Sequence, residues 1–276
     1  MTRLQQSVYG WCHTALGVII VAVLLFPLYW MLNASFQSSG ALLKPSPNLF
    51  PLGGTLDGYR EALSTQQGHL ISSLIVAAGT VAVSLAIATP AAYALAQLKM
   101  RGGVAVLFVM LIVQMIPGIV MANSLYTVFS HLGLIDNYLG LILADSTATI
   151  PFAILLLRAF MIAIPKELTE AARLDGAGYW RIFVSIIVPV SRNAMVTAGL
   201  FSFLFAWADF LFAITLTTGQ SFEPVTVGMY RFIGNQSADW NGIMATAVLA
   251  SIPAAILLTI AQRYVVAGMT SGAVKD

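Results

Sequence analysis

The stretch Glu170-Ala171-Ala172-Arg173-Leu174-Asp175-Gly176-Ala177, with a tail running on to Pro189, is the most charged part of the second half of a strongly apolar chain. Glu167, Glu170, Arg173, Asp175 and Arg181 crowd together there, although only 9% of all residues are charged. Pro165 suits the first turn of a helix, where its missing N–H costs nothing. Lys166 and Glu170 stand four apart on one helix face, with Ala171 and Leu174 as a small apolar strip beside them. Gly176 follows Asp175 where this helix should stop, because glycine readily takes the left-handed conformation that terminates helices. A second helical run over 179–187 then carries the chain to Pro189. The pattern predicts a short helix, a glycine bend and a second helix.

What flanks this polar island is membrane-like. The chain has 276 residues, of which 59% are hydrophobic, and a mean hydropathy of +0.87. A soluble domain is nearer 45–50% apolar and about 25% charged. The composition therefore points to an all-α membrane protein that crosses the bilayer several times. Cys12 is the sole cysteine, so no internal disulfide and no cysteine metal cluster can form. A net charge of +2 says little about partners, because in membrane proteins the placement of charge matters more than its sum. Nothing in it suggests nucleic acid as a partner. The first apolar run, from Ala15 to Leu32, is longer than a signal-peptide core and reads as a retained span.

Apolar runs of about 20 residues, enough to cross about 30 Å of hydrocarbon, predict six transmembrane helices over 14–32, 70–97, 104–122, 138–160, 194–216 and 243–261. The whole of 1–276 is then one transmembrane domain with a polar loop at 161–193 and a tail at 262–276. The long connection over 33–69 is expected to be an ordered loop outside the membrane. Prolines at 90, 117 and 151 are expected to interrupt their helices, which favours a packed bundle around a pathway. Six spans put both ends on one side. With the amino terminus inside, the inner segments carry Arg3, Lys99, Arg101, Arg158, Lys166, Arg173, Arg181, Arg192, Arg263 and Lys275, and the outer ones only Lys44, Arg60 and Arg231. That bias places both termini and the Glu170 loop in the cytoplasm.

Neither an ATP-binding loop nor a metal or hydrolytic site can be read in the chain. A phosphate-binding loop needs glycine before its lysine, but Lys44, Lys99, Lys166 and Lys275 follow Leu43, Leu98, Pro165 and Val274. His13, His69 and His131 are isolated, with no spacing suited to zinc. No Gly-x-Ser-x-Gly elbow is present, so no hydrolytic site is read. The chain is expected to be no enzyme and to bind no cofactor. Two acids do fall within apolar runs: Asp145, and Asp209 in Phe205-Ala206-Trp207-Ala208-Asp209-Phe210. A mid-membrane carboxylate costs about 2.5–3.5 kcal/mol on the insertion scale and should face the bundle or water. Trp207, Asp209 and Asp145 either border a substrate pathway or bond between helices and at a subunit interface. A proton- or sodium-coupled transporter using Asp145 or Asp209 is a rival reading.

Glu170, Ala171, Ala172, Leu174, Asp175, Gly176, Ala177 and Pro189 resemble the cytoplasmic "EAA" loop of ATP-binding-cassette (ABC) importer permeases. In that family the loop docks into a groove on the ATPase subunit. The end of the chain, Gln262-Arg263 followed by Gly268, Thr270, Ser271, Gly272 and Lys275, resembles the tail of the smaller permease in maltose-type carbohydrate importers, where it reaches into the ATPase dimer. The family often has Trp, then Asn, then Glu or Asp in the fifth span. Here Ala208 takes the place of Asn.

The resemblance implies a bacterial inner-membrane permease that moves a carbohydrate inward by alternating access. Its expected partners are a second homologous permease, two ATPase subunits that bind ATP and Mg, and an extracytoplasmic sugar-binding protein. A permease for a non-sugar solute such as a phosphorylated polyol is the nearer alternative.

Overall fold

The computed structural model describes residues 3–46, 48–98, 100–218, 222–235 and 239–273, and among them every regular element is a helix. Helix α1 spans Arg3–Ser35, α2 Ser39–Leu42, α3 Asp57–Gln97, α4 Gly103–Gln114, α5 Gly118–Leu132 and α6 Tyr138–Ile162. Helices α7 Lys166–Leu174 and α8 Tyr179–Ile182 follow, then a π-helical turn Phe183–Ile187 and α9 Val188–Val190. The remaining helices are α10 Arg192–Ala208, α11 Leu211–Leu216, α12 Val225–Asn235 and α13 Trp240–Ala273. Four helices are long and apolar enough to cross a membrane, and two bent helix pairs raise the number to six when each counts as one span. The protein is an all-α membrane protein.

Helix boundaries differ from the sequence expectation in several places. Residues 57–69 are not loop but the first turns of α3. Thr55 starts the helix locally, its hydroxyl accepting from the Asp57 N–H at 3.1 Å, and no proline lies in the turns that follow. The expected span over 194–216 is divided: α10 stops at Ala208, Asp209 is extended at ψ 131°, and α11 begins at Leu211. The prolines also behave unequally. Pro117 separates α4 from α5 by 97°, whereas Pro90 and Pro151 lie inside α3 and α6, which run on through them. One lost backbone bond does not end a membrane helix when neighbouring groups re-satisfy it.

The chain divides into two compact units. The first comprises 1–67 and 229–251. In it, the Asn241 side-chain amide donates to the Ser35 carbonyl at 2.9 Å, and Ser39 donates to Asp239 at 2.6 Å. Ser35 and Tyr59 share a 2.7 Å hydroxyl contact. The helix α1 window that would cross the membrane is wholly unburied within the chain.

The second unit comprises 68–228 and 252–276. Helix α6 is its centre, packing on α4, α5, α10 and α11. Small residues let the helices approach closely: Ala88, Ala92, Ala153 and Ala198 are fully buried in one cluster. Ser84 and Thr149 meet within that interior at 2.7 Å. This is how membrane helices associate, through tight apolar packing of small residues with a few polar bonds between helices.

Candidate functional site

The polar island forms the predicted helix–bend–helix. Helix α7 ends in a left-handed cap, with Gly176 at φ +80°. The Gly176 N–H donates to the Arg173 carbonyl at 3.0 Å and the Ala177 N–H to the Ala172 carbonyl at 2.9 Å. These two bonds are the Schellman pattern, which satisfies carbonyls the helix itself leaves open. The Arg173 guanidinium lies 4.7 Å from the Tyr179 ring centre, bracing the two arms of the bend.

One side of this element is anchored and the other is bare. Ile182, Phe183 and Ile187 are buried in the cluster that holds Ala88 and Ala92 of α3 and Leu157 and Met161 of α6. Phe183 packs against Tyr93 with ring centres 5.5 Å apart. Gln97, the last residue of α3, donates to the carbonyls of Met161 at 2.7 Å and Ile164 at 3.2 Å. That amide therefore ties α3 to the end of α6 immediately before the loop. By contrast Leu174 is 90% exposed and Trp180 74% exposed, with Tyr179 and Leu168 also open. Large apolar side chains standing clear of the surface mark a contact with another protein or with the membrane. Among the described residues Glu170 has no ion-pair partner. It lines a hollow of about 410 Å³ together with Lys166, Arg173, Thr169, Tyr179 and Gln97.

The run expected as regular helix over 179–187 widens into a π-helical turn at Phe183–Ile187. Pro189 supplies the reason, since its ring would clash with the carbonyl four residues earlier, at Ser185, and it has no N–H to donate. The wider turn relieves both. The chain then bends by 75° into α10.

A second constellation lies where the two broken helices meet. A cavity of about 260 Å³ is lined by Gln114, Ile116 and Gly118 from the Pro117 break, by Asp209, Leu211 and Phe212 from the α10–α11 break, and by Thr147 and Phe205. Discontinuous helices in transporters commonly frame binding sites in this way. Asp209 holds its break together: its Oδ2 accepts from the Ala213 N–H at 2.9 Å and its Oδ1 from the Phe212 N–H at 3.3 Å. The Asp209 carbonyl in turn accepts from the Thr226 hydroxyl at 2.7 Å.

The other two pathway candidates are placed differently. Trp207 is buried and stacked on Phe203, with ring centres 5.5 Å apart. Asp145 is fully buried in α6, and both its carboxylate oxygens lack a hydrogen-bond partner among the described residues. The structure thus brings Asp209 into the cavity and leaves Trp207 and Asp145 outside its lining. No group of three His, Cys, Asp or Glu side chains is arranged for a metal among the described residues.

In the tail, Gly268, Thr270, Ser271 and Gly272 lie on the last turns of α13, while Lys275 lies outside the described residues. Gln97, Gln114 and Thr147 were not singled out by sequence reasoning. The signals available were an amide closing a long apolar run at Gln97 and an amide just before a Pro-Gly break at Gln114.

Known proteins match this architecture. A family described as "binding-protein-dependent transport system inner membrane component" matches residues 87–271. The chain is 33% identical to the trehalose transport system permease protein SugB of Mycobacterium tuberculosis (strain CDC 1551 / Oshkosh), over 94% of this chain and 96% of that one. It is 32% identical to the trehalose/maltose transport system permease protein MalG of Thermococcus litoralis (strain ATCC 51850 / DSM 5473 / JCM 8560 / NS-C), over 94% of this chain and 95% of that one. Its fold is similar to a chain in the crystal structure of a bacterial ABC transporter involved in the import of the acidic polysaccharide alginate. That likeness has a TM-score of 0.81 at 22% identity, over 96% of this chain and 98% of the other. The chain belongs to the family of binding-protein-dependent transport system inner membrane components.

Proposed function

We propose that this chain is the smaller permease subunit of a bacterial ABC importer that carries a saccharide or related polyol inward. The observation that carries the reading is the Glu170 loop: bare on one face, with Leu174 and Trp180 exposed, and rooted on the other in the α3–α6 core through Ile182, Phe183 and Ile187. A contact made on the bare face is transmitted to the membrane helices as a rigid displacement, because close-packed interiors shift between discrete arrangements rather than yield. The docking partner is an ATPase subunit that binds ATP and Mg; this chain contributes the lever and not the hydrolysis. Glu170, Ala171, Ala172, Leu174, Asp175, Gly176, Ala177 and Pro189 form that lever. The relatives named for trehalose and maltose transport support the substrate class.

In this reading the basic residues of 161–193 and both termini face the cytoplasm, following the asymmetry of Lys and Arg. A second, homologous permease completes the pathway, and an extracytoplasmic sugar-binding protein delivers the substrate. The helix breaks at Pro117 and Asp209 are the flexible joints at which the bundle exchanges inward- and outward-facing arrangements. The cavity between them, with Asp209, Gln114 and Thr147 beside Phe205 and Phe212, fits recognition of hydroxyls on one side and a sugar's apolar face on the other. Asp145 and Trp207 support this pathway from behind its wall.

The test is uptake by the complete assembly in liposomes, with ATP and ion gradients varied independently. Uptake is expected to depend strictly on internal ATP and on external sugar-loaded binding protein. Uptake that persists without ATP and follows a proton or sodium gradient overturns the reading.

The tail is a separate matter. Residues 268–276, which include Gly268, Thr270, Ser271, Gly272 and Lys275, are proposed to contact the ATPase dimer. Deleting them removes no apolar span. Membrane abundance is therefore expected to be unchanged, while the ratio of sugar transported to ATP hydrolysed shifts. An unaltered ratio and unaltered stimulation of hydrolysis by substrate assign the tail no role in coupling.

A further inference from the structure

The segment between α2 and α3 folds back along α1 toward the bilayer and ends in an exposed apolar tip, Leu49-Phe50-Pro51-Leu52. Its course is fixed by three side chains. The amides of Asn33 and Gln37 donate to the Asn48 carbonyl at 3.0 Å and 2.8 Å. One residue further on, the Leu49 carbonyl accepts from the Tyr29 hydroxyl. Tyr29 lies one helical turn before Asn33, about 6 Å nearer the membrane interior, and helical side chains lean further toward the amino-terminal end. From Asn48 to Leu49 the chain is thus descending.

It then reverses at once. The Leu52 N–H donates to the Phe50 carbonyl at 2.8 Å and the Gly54 N–H to the Pro51 carbonyl at 3.1 Å, with Gly53 at φ +72° inside the turn. Positive φ at the third position is what a type II turn demands. By Thr55 the chain has climbed back to the top of α1, where its N–H donates to the Phe36 carbonyl at 2.8 Å. Of the points that these bonds fix, the Leu49 carbonyl lies deepest.

The tip carries nothing polar to meet water. Phe50 is 66% exposed and Leu52 80% exposed, and Leu49 is similarly open. Tyr29 sits with Phe26 and Trp30 in a group of ring contacts 6.4–6.5 Å apart, and such aromatic groups near the end of a span mark the boundary between hydrocarbon and headgroups. Between Phe36 and Leu56 the sole charged residue is Lys44, with no acid at all. An exposed apolar point accompanied by a lone cation and no anion complements an anionic lipid surface.

We infer that residues 49–52 form an interfacial wedge that inserts into the membrane leaflet surrounding the outer end of α1, with the Tyr29 hydroxyl tethering it at that depth. A soluble protein docking on the same tip is the competing occupant. The depth set by Tyr29 and the absence of charge at the tip favour lipid.

The experiment uses the complete transporter in nanodiscs of phosphatidylethanolamine and phosphatidylglycerol, with Cys12→Ser removing the native thiol. An environment-sensitive fluorophore is placed at Leu52→Cys, and at Arg60→Cys as an aqueous reference; the Arg60 side chain is 79% exposed. The label at 52 is expected to be quenched by nitroxide lipids several-fold more than the label at 60, and by aqueous iodide several-fold less. Adding Tyr29→Phe is expected to move the label at 52 toward the values at 60. Equal iodide quenching at both positions, with no lipid quenching at 52, overturns the wedge. Protection from iodide that appears only when the sugar-binding protein is added also overturns it and assigns the tip to that protein. An unchanged lipid-to-iodide ratio in Tyr29→Phe removes the tether. None of these readouts requires transport, so they stand or fall independently of the proposed substrate.

Discussion

Gly176→Pro is expected to leave the protein in the membrane at normal abundance and to reduce ATP-driven uptake to background. Proline fixes φ near −65°, whereas Gly176 sits at φ +80°. Proline also removes the N–H that donates to the Arg173 carbonyl. The two losses cost about 3 kcal/mol or more within the loop. No membrane span contains this residue, so insertion is spared and the cost falls on the geometry linking α7 to α8. Gly176→Ala is the graded control: an L-residue in the left-handed region costs about 1–2 kcal/mol, so partial uptake is expected. The measurement is initial uptake together with substrate-stimulated ATP hydrolysis in liposomes. Wild-type uptake by Gly176→Pro at wild-type abundance would show that the bend transmits nothing.

Asp209→Ala is expected to lower both the abundance of the assembled complex and its uptake, with Asp209→Asn in between. The Asp209 carboxylate accepts from the N–H groups of Phe212 and Ala213, the first turn of α11 after the helix break. Removing a side chain that caps a helix start costs about 0.5–2 kcal/mol in water. Inside a bilayer the penalty rises, because a freed N–H finds no solvent there. Asn keeps one acceptor oxygen and so restores one of the two bonds. Abundance is read from the detergent-solubilised complex, and uptake is normalised to it. If Asp209 also meets sugar hydroxyls across the cavity, Asp209→Asn raises the substrate concentration needed for half-maximal uptake at unchanged abundance. Full abundance and full uptake in Asp209→Ala would contradict the capping role.

The same carboxylate explains why the sequence alone misplaced a helix end. The residues 194–216 form one continuous apolar run, and periodicity sees no reason to divide it. Asp209 offers the backbone an alternative set of bonds, and an Asp beside free N–H groups competes effectively with the helical pattern. Whether it does so depends on what else can meet the carboxylate. That is a question about neighbours in space, and here the Thr226 hydroxyl on the Asp209 carbonyl is part of the answer. The three prolines make the same point. Each removes one N–H, yet α3 and α6 run on through Pro90 and Pro151, while Pro117 stands between two helices set at 97°.

What the sequence determines by itself is local or additive. Apolar runs of membrane length, the asymmetry of Lys and Arg, and the left-handed stop at Gly176 follow from the residues in place, because each depends on short stretches of chain. The Glu170 loop is legible for that reason, down to the Schellman bonds that its glycine permits. The tertiary structure alone decides what depends on residues far apart in the chain. Gln97 reaches Met161 and Ile164 to join α3 to the root of the loop. Tyr29 reaches the Leu49 carbonyl to set the depth of the apolar tip. The breaks at Pro117 and Asp209 line one cavity. A side chain's bonding capacity is written in its chemistry, but its partner is chosen by packing, since a buried polar group must bond to whatever the fold brings within reach.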